Sequence, residues 1–318
     1  MGFGRGRFTS LGATFQVRDM TVFSAVDAAF EGFRLTWEKP KTLLIWTAFF
    51  LIVNLLTPLV LFGLGLNTQI AALEEVMRNP SPDPAVAFQS MAALAPLYAI
   101  LLPAGLVVQA MIAAAVFRLV LDPEDSQKHP VQFGAEEARL IVLALAYTLL
   151  FLLAVVAASL AGGIIAAIAG AVGAGPFVGI LISFALMAVL VYAAVRMSLG
   201  PVITFSEGRI AVFDSWTVTR GLSLPILGTY ILAVIAVLIV YLLSLVLAAA
   251  LATLLSGGDL GALGRVTNPD MTSLEAFFSP GQVLMILFGS FVTAVFNAVM
   301  SAPAAVIYRE IRARKSLA

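Results

Sequence analysis

The side chains that could carry out acid–base or metal chemistry are few in this sequence and lie apart. His129 is the single histidine and sits between Lys128 and Pro130 in a polar stretch, with no second histidine to pair with. Cysteine is absent, which excludes disulfides, thiolate metal sites and thiol catalysis. No HExxH motif occurs, and no serine in a GxS pattern has a histidine inside an apolar run. The sequence therefore predicts no catalytic residue, no metal site and no cofactor.

Arginines, by contrast, recur where apolar runs end. An arginine fork can bind a phosphate through two hydrogen bonds, and tryptophan favours the headgroup layer of a bilayer. Pro201 and Glu207 follow Arg196, and Trp216 precedes Arg220 by four residues. We expect this order to form a helix exit, a turn and a return helix that bring the two guanidinium groups together while Glu207 orients one. The sequence predicts a site for anionic phospholipid headgroups made of Arg118, Arg139, Arg196, Glu207, Arg209, Trp216 and Arg220.

The alternative for these arginines is that they only set the topology of the chain, beside an ordinary belt of aromatic residues.

Amides inside the apolar runs form a second candidate site. Asn54, Gln109 and Asn297 fall well inside three different runs, and prolines near them can open backbone carbonyls. Such groups can bind a solute without charge, which favours a transporter or a lipid-handling protein. The other interpretation is hydrogen bonding between helices, where such an amide contributes about 0.6–2 kcal/mol.

These candidates are carried by a chain whose composition suits a bilayer. It has 318 residues, of which 61% are hydrophobic and 11% charged, against about 25% charged in a soluble domain. Six apolar runs are long enough to cross roughly 30 Å of hydrocarbon, at about 42–66, 93–117, 140–172, 177–205, 224–256 and 281–307. The sequence therefore predicts an all-α polytopic membrane helix bundle. Its parts are a tail with an interfacial helix over 1–41, a six-span domain over 42–308 and a basic tail over 309–318.

The basic residues sort into alternate gaps between the runs. All Lys and Arg except Arg78 and Arg265 lie in the N-terminal segment, the second gap, the fourth gap and the C-terminal tail. The positive-inside rule then places both termini in the cytoplasm, so the net charge of zero hides two faces of opposite sign. The first run begins after about forty residues and is too long for a signal peptide, so no cleavage is expected.

Three segments beside the runs have the pattern of amphipathic helices. In Asp19–Glu38, apolar residues recur every three or four positions, which places on one helical stripe Val22, Val26, Phe30, Phe33 and Trp37. A second such helix is expected from Arg209 to Arg220, and a shorter third around Phe133–Arg139. Each precedes an odd-numbered span, which suggests a weak threefold repeat. The alternative is that any six-span protein makes three hairpins.

Small residues mark one close contact between helices. Gly162, Ala166 and Gly170 recur every four residues, and Gly175 and Gly179 form a GxxxG motif. Small residues at this period allow helix backbones to approach closely, so we expect the tightest contact of the bundle between the third and fourth spans. The short uncharged connection between these spans favours a hairpin within one chain. A contact between two copies in a homo-oligomer remains open.

The stretch from Arg196 to Gly221 resembles a known family. It reads RMSLGP from Arg196, then ITFSEG over 203–208, then FDSWTVTRG over 213–221. This resembles the signature of the bacterial membrane domain named after glycerophosphoryl diester phosphodiesterase. In that family an Arg ending one span is followed by a Pro, a Glu-Gly turn and a Ser-Trp-x-x-x-Arg-Gly helix. The tail from Ala305 to Arg312 is similar to the family's closing Tyr-x-x-(Leu/Ile)-Arg segment.

The resemblance implies a six-span bundle in the bacterial inner membrane. Members with phosphodiesterase activity carry a separate soluble catalytic barrel, which this sequence does not contain. We therefore expect a non-enzymatic membrane-embedded scaffold or partner-binding subunit, with anionic phospholipid and a membrane or cytoplasmic protein as its partners. The second choice is the transporter or lipid-handling protein, and the third is a lipid enzyme with an unrecognised site. The segment from Gly2 to Phe8 has too few charges for a nucleic-acid-binding arm, so no nucleic acid partner is expected.

Overall fold

The computed structural model describes residues 23–79, 83–122, 131–171, 173–255, 257 and 272–316, and all regular structure in these ranges is helical. The predictions made for Asp19–Val22 and for His129 lie outside the described residues. The helices are, in chain order, α1 Ala25–Glu38, α2 Pro40–Gly63, α3 Asn67–Arg78, α4 Pro84–Ala93, α5 Ala95–Leu121, α6 Ala135–Gly170, α7 Gly175–Met197, α8 Gly200–Glu207, α9 Asp214–Val218, α10 Ser223–Leu255, α11 Leu274–Phe277 and α12 Pro280–Lys315.

Six helical segments of the described chain are long and apolar enough to cross a membrane, which confirms the predicted all-α six-span bundle. α7 and α8 together form the fourth of these spans, from Phe177 to Glu207. An α-helix rises about 1.5 Å per residue, so the 36 residues of α6 and of α12 extend about 54 Å each, well beyond the hydrocarbon. These two helices therefore continue out of the membrane without a break. The chain is a multi-pass membrane protein.

Sequence features at the helix ends explain several boundaries. Pro40 is the first residue of α2; it has no N–H and cannot continue α1, so the chain turns between the two helices. Ser24 caps α1, because its hydroxyl accepts a hydrogen bond from the Asp27 N–H at 3.2 Å. After α2 the chain turns at Gly65, whose φ of 66° lies in the left-handed region that favours glycine. α3 and α4 then occupy the connection between the first two spans.

Most buried side chains lie at one end of the bundle, the end at which Phe23 and Arg314 border the same depression. α12 runs through its centre, and every residue from Ser301 to Tyr308 is buried. Helices α1, α2, α5 and α10 pack around α12. We call this end the packed layer; it comprises 25–38, 110–121, 135–143, 195–230 and 298–311.

Helix α1 packs into this layer with the face opposite to its apolar stripe. Val26, Phe30 and Trp37, which belong to the predicted stripe, are exposed. In a bilayer this stripe is free to contact lipid at the edge of the packed layer. The buried residues of α1, which packs against α12 and α10, are three small residues, a leucine and a glutamate: Ala28, Ala29, Gly32, Leu35 and Glu31.

The closest backbone approach at any described glycine occurs on this face of α1. A Cβ added at Gly32 would lie 2.3 Å from the Cα of Val299 and 2.7 Å from the carbonyl oxygen of Ala298. The expectation that the third and fourth spans make the tightest contact is therefore wrong. Its physical reason is that α1 has a small-residue face of its own, which lets it settle between α10 and α12.

Beyond the packed layer, α6 and α7 leave the bundle as a hairpin. A Cβ at Gly162 would lie 2.8 Å from the Ile182 side chain, and one at Gly175 would lie 3.1 Å from the Cα of Gly170. The line of small residues therefore lies in the α6–α7 contact, within one chain. The most apolar windows of these two spans are only 11% and 6% buried, against 39% in the last span. We call residues 149–171 and 173–192 the projecting hairpin.

The other two amphipathic segments differ in outcome. In the stretch from Arg209 to Arg220 only Asp214–Val218 is α-helical, forming α9. No separate helix forms around Phe133–Arg139, because α6 begins at Ala135 and runs directly into the third span. The start of α6 is fixed by Glu137, whose carboxylate accepts a hydrogen bond from the Gly134 N–H at 2.8 Å.

Candidate functional site

The region that resembles the family signature forms a break in the fourth span. α7 ends at Met197, and α8 begins at Gly200. Pro201 stands in the first turn of α8, where its missing N–H costs least. Gly208 ends α8 with a φ of 65°, so the chain reverses there and returns through α9 to the start of α10.

Two buried hydroxyls join the return loop to this break. The Ser215 hydroxyl donates to the Arg196 carbonyl at 2.7 Å and accepts from the Leu199 N–H at 3.1 Å. The Thr219 hydroxyl shares its proton between the Ser215 carbonyl, at 2.7 Å, and the Arg196 carbonyl, at 3.1 Å. Neither hydroxyl-bearing residue is exposed. The serine of the Ser-Trp-x-x-x-Arg-Gly signature therefore supplies the partners that backbone groups lose where a helix is interrupted.

The third span closes the break from the other side. Tyr147 of α6 donates a hydrogen bond to the Val212 carbonyl at 3.0 Å. Its ring lies directly against Gly200, where an added Cβ would be 1.8 Å from the phenol oxygen. Thr204 accepts a hydrogen bond from the Ala211 N–H at 3.0 Å and is fully buried. The loop is thus held rigidly inside the packed layer.

Arg196 lies inside this region with only 5% of its surface exposed. One of its terminal nitrogens donates to the Trp216 carbonyl. Its guanidinium carbon is 4.9 Å from the centre of the Trp216 ring and 6.0 Å from that of Tyr192, distances typical of cation–π contacts. Its Nε has no hydrogen-bond partner, and no carboxylate of the described residues forms an ion pair with it.

Arg118 is the second buried guanidinium, and its charge is fully compensated. It is 6% exposed and forms ion pairs with Glu137, itself 1% exposed, and with Glu136 at 3.1 Å. Its guanidinium also lies 5.6 Å from the centre of the Phe205 ring. Because Glu137 caps α6, this cluster fastens the end of α5 to the start of the third span.

Arg209 and Glu207 form a separate group at the surface. Arg209 pairs with Glu207 at 2.7 Å and also with Asp214. The hydrogen bonds that Arg209 donates to Asp214, and next to Glu207, raise the pKa of Arg209 above its ordinary value. Glu207 also accepts a hydrogen bond from the Tyr308 hydroxyl, at 3.4 Å. Glu207 was predicted to orient Arg196 or Arg220, but its contacts are with Arg209 and Tyr308 instead.

The structure does not gather the predicted headgroup residues into one pocket. It places Arg196 with Trp216 and Arg209 with Glu207, while Arg118 stands apart in its own cluster. Arg139 is half-buried near Gly208, Arg220 is exposed, and neither forms an ion pair with the described residues.

Sequence reasoning missed three side chains of these clusters. Tyr192 precedes Arg196 by one helical turn, and that i, i+4 spacing was a usable signal. Glu137 stands in the first turn of a helix, where a carboxylate is favoured, so it too could have been found. Tyr147 gave no signal, because its partner Val212 is distant in sequence.

The three amides inside the spans do not converge. Asn54 donates to the Ser290 hydroxyl at 3.0 Å and so joins α2 to α12. Asn297 is buried and donates to the Thr293 carbonyl of its own helix at 2.8 Å. Gln109 is exposed on α5. These positions match hydrogen bonding within and between helices better than a shared solute site.

An apolar groove runs between α10 and α12 at membrane depth. Its volume is about 450 Å³. Val234 and Ala248 mark its two ends on α10, and Gly289 lies in its floor on α12, where an added Cβ would meet open space. The hydroxyls of Ser244 and Thr293 line it but are bonded to carbonyls of their own helices. The groove therefore offers mainly hydrocarbon surface to a ligand.

Comparison with known proteins gives no match: no family model, no curated protein and no solved structure is similar to this chain. Among the described residues, no group of three or more His, Cys, Asp or Glu side chains is placed to hold a metal ion. The resemblance over Arg196–Gly221 therefore stays a prediction from sequence, and the description of the site stands on its geometry.

Proposed function

We propose that this membrane protein is a non-enzymatic scaffold, a subunit that holds a partner protein in the plane of the membrane. The projecting hairpin is the observation that carries the proposal, because it leaves the packed layer and exposes large apolar side chains on most sides. Helices associate in bilayers by close packing, so such faces are open to lipid and to helices of another protein alike. In this proposal the packed layer faces the cytoplasm of a bacterial cell.

The buried polar contacts support the same role. Ser215 and Thr219 hold the return loop against α7, Asn54 fastens α2 to α12, and Arg118 ties α5 to α6. Each contact is made between protein groups and fixes one arrangement of the helices. A platform for a partner needs this rigidity, because loose helices would lose more conformational entropy on binding.

The test is purification in mild detergent followed by quantitative mass spectrometry of the proteins that remain bound. We expect a second membrane protein to copurify with the wild type in a fixed ratio. This partner should be lost from the double variant Leu153→Ala with Phe184→Ala, which shortens two exposed side chains of the hairpin. The matched control trims Leu243→Ala with Leu254→Ala, two equally exposed leucines of α10, and should keep the partner. A wild type that elutes alone, with lipid only, contradicts the scaffold proposal.

The groove between α10 and α12 favours a second candidate, a lipid-handling protein. Gly289→Leu should fill the groove without a clash, because a Cβ there meets open space. In this case phospholipid should raise the melting temperature of the wild type and not that of the variant. Gly163→Leu is the control, since it places the same side chain in open space on the projecting hairpin. Equal lipid responses in all three proteins exclude the groove as the site.

A further inference from the structure

Arg118, Arg196 and Arg209 all lie in the packed layer, and they differ in how the charge of their guanidinium group is compensated. Arg118 and Arg209 each contact two carboxylates. Arg196 contacts a carbonyl and two aromatic rings, and no carboxylate of the described residues pairs with it. A buried cation without an anion is strongly unfavourable, and cation–π contacts offset only part of that cost. An anion from outside the described chain would complete the site.

We infer that Arg196, together with Trp216 and Tyr192, binds the phosphate of an anionic phospholipid headgroup. The inference narrows the broad set of boundary arginines to the one that is buried, has a free donor and lacks a counter-charge. It goes beyond the scaffold proposal and does not depend on it, since the ligand is a lipid and Arg196 and Trp216 lie in the packed layer, not among the exposed side chains of the hairpin that would contact a partner.

The free donors point to a phosphate. Arg196 Nε is buried and unpartnered, although the rest of the guanidinium is held in place by the Trp216 carbonyl. The indole N–H of Trp216 also makes no hydrogen bond with the described residues. A phosphate carries negative charge and several acceptor oxygens, so it suits a guanidinium that has an unused donor and no counter-charge among the described residues. A carbonyl or hydroxyl ligand would leave the buried positive charge in place.

The position of the cluster points to a lipid. Arg196 stands in the last turn of α7, where an apolar span meets the packed layer. The rings of Trp216 and Tyr192 are 41% and 50% exposed and lie edge to face with centres 5.8 Å apart. Trp and Tyr are enriched at the headgroup level of bilayers, so a headgroup can reach the guanidinium past these rings. Arg220 adds an exposed positive charge next to Thr219, whose hydroxyl contacts the Arg196 carbonyl.

The experiment titrates purified, delipidated wild-type protein in detergent with short-chain lipids of identical acyl length. Native mass spectrometry counts bound lipid, and tryptophan fluorescence follows the melting temperature. The probes are dioctanoyl phosphatidylglycerol, dioctanoylglycerol, which lacks phosphate, and inorganic phosphate. We expect one tightly bound phosphatidylglycerol per chain and no tight binding of dioctanoylglycerol. If inorganic phosphate raises the melting temperature as much as phosphatidylglycerol does, the phosphate chemistry holds and the natural ligand is a free anion.

Substitutions assign the binding to these residues. Arg196→Lys keeps the charge but loses the planar fork, and should weaken phosphatidylglycerol binding at least about ten-fold. Arg220→Gln removes one exposed charge and should weaken it about five-fold. Arg312→Gln is the matched control, because it removes an exposed arginine at the same end of the bundle, and should leave binding unchanged. Equal binding by Arg196→Lys, Arg312→Gln and wild type overturns the inference.

A measurement on the wild type keeps the inference testable if Arg196→Lys does not fold. Phosphatidylglycerol with a photoreactive headgroup is crosslinked to the protein, which is then cut with trypsin. The label should appear in the peptide from Ile210 to Arg220, which contains Trp216. Label in the peptide from Leu140 to Arg196, which contains Tyr192, also agrees with the site, whereas labelling that is confined to the remaining peptides shows that no phosphate site exists at Arg196. Equal binding of dioctanoylglycerol and phosphatidylglycerol in the titration shows the same.

Discussion

Ser215 carries much of the stability of the interrupted fourth span. Its hydroxyl serves two backbone groups at once, and the residue is fully buried. Ser215→Ala leaves the Leu199 N–H without a partner, which should lower the free energy of unfolding by about 1–3 kcal/mol. The shift is measured as the thermal unfolding midpoint of the purified protein, followed by tryptophan fluorescence.

Ser183→Ala is the matched control for that change. Ser183 is exposed on α7 and donates only to the Gly179 carbonyl of its own helix, at 2.9 Å. A surface substitution of this kind stays within about 0.5 kcal/mol. If both variants shift the midpoint equally, the two hydrogen bonds of Ser215 do not stabilise the break.

The pair Arg118–Glu137 gives a second prediction at this scale. Arg118→Met leaves a buried carboxylate without its cation and should cost about 3–5 kcal/mol. Adding Glu137→Gln removes the stranded charge while keeping an oxygen that can accept the hydrogen bond from the Gly134 N–H, and should restore a large part of that loss. The same unfolding assay, applied as a double-mutant cycle, measures the coupling.

An exposed pair provides the comparison for that cycle. Arg78 and Glu74 lie 3.8 Å apart on the surface of α3, where an ion pair contributes about 0–1 kcal/mol. Arg78→Met should therefore change the midpoint little. A double variant of Arg118 and Glu137 that is no more stable than Arg118→Met alone would show that charge compensation is not what the pair provides.

At the scale of elements, Gly32 decides where α1 lies. Gly32→Ala places a Cβ 2.3 Å from the Val299 Cα and 2.7 Å from a carbonyl, and both are backbone atoms that cannot turn aside. α1 should therefore move away from α12. Because the chain has no cysteine, Ala28→Cys can report this movement without background: it is buried in the docked helix and should react with a thiol reagent much faster beside Gly32→Ala.

Gly105→Ala serves as the control for α1. A Cβ at Gly105 meets nothing within 4 Å, and Gly to Ala inside a helix gains up to about 1 kcal/mol of propensity. This variant should be as stable as the wild type or more so, with Ala28→Cys still protected. Protection that survives in Gly32→Ala would show that α1 docks loosely.

The sequence was sufficient to predict the six spans, but it did not predict how the helices outside the spans pack against them. Apolar runs report the bilayer directly, because a helix in hydrocarbon must be apolar over about 20 residues. The docking face of α1 was missed because Ala28, Ala29 and Gly32 carry little hydrophobicity, whereas Phe30 and Trp37 dominate any periodicity. In a bilayer small residues pack against helices and large apolar ones contact lipid, which reverses the rule for soluble helices.

The residue types of the candidate site could be predicted from the sequence, but the contacts that each arginine makes could not. Arg196 and Arg118 both end apolar runs and look alike in sequence. Only the fold separates them, since it brings Glu137 to Arg118 and two aromatic rings to Arg196. The Ser215 contacts likewise depend on a chain reversal that brings residues 16 and 19 positions apart together.

At the scale of the whole molecule, packing and charge coincide. The packed layer lies at the end that holds the described basic residues of the C-terminal tail and of the second and fourth gaps, while the opposite end carries α3, α4 and α11. Positive charge is retained on the cytoplasmic side during insertion. The orientation we propose therefore places the most rigid part of the protein in contact with the cytoplasm and leaves the hairpin within the bilayer.

Single cysteines in the cysteine-free chain test this orientation with a membrane-impermeant thiol reagent. Ser273→Cys, in an exposed residue just before α11, should label from outside intact cells. Thr217→Cys and Ser316→Cys, both exposed near the packed layer, should label only after the membrane is permeabilised. Ser215→Cys is the background control. This position lies close to Thr217 but is buried, so its cysteine should stay unlabelled from either side of the membrane. If Thr217→Cys is labelled from outside and Ser273→Cys is not, the orientation is the reverse of the one we propose. If both are labelled equally in intact cells, the two positions lie on the same side, which contradicts a single span, α10, between them.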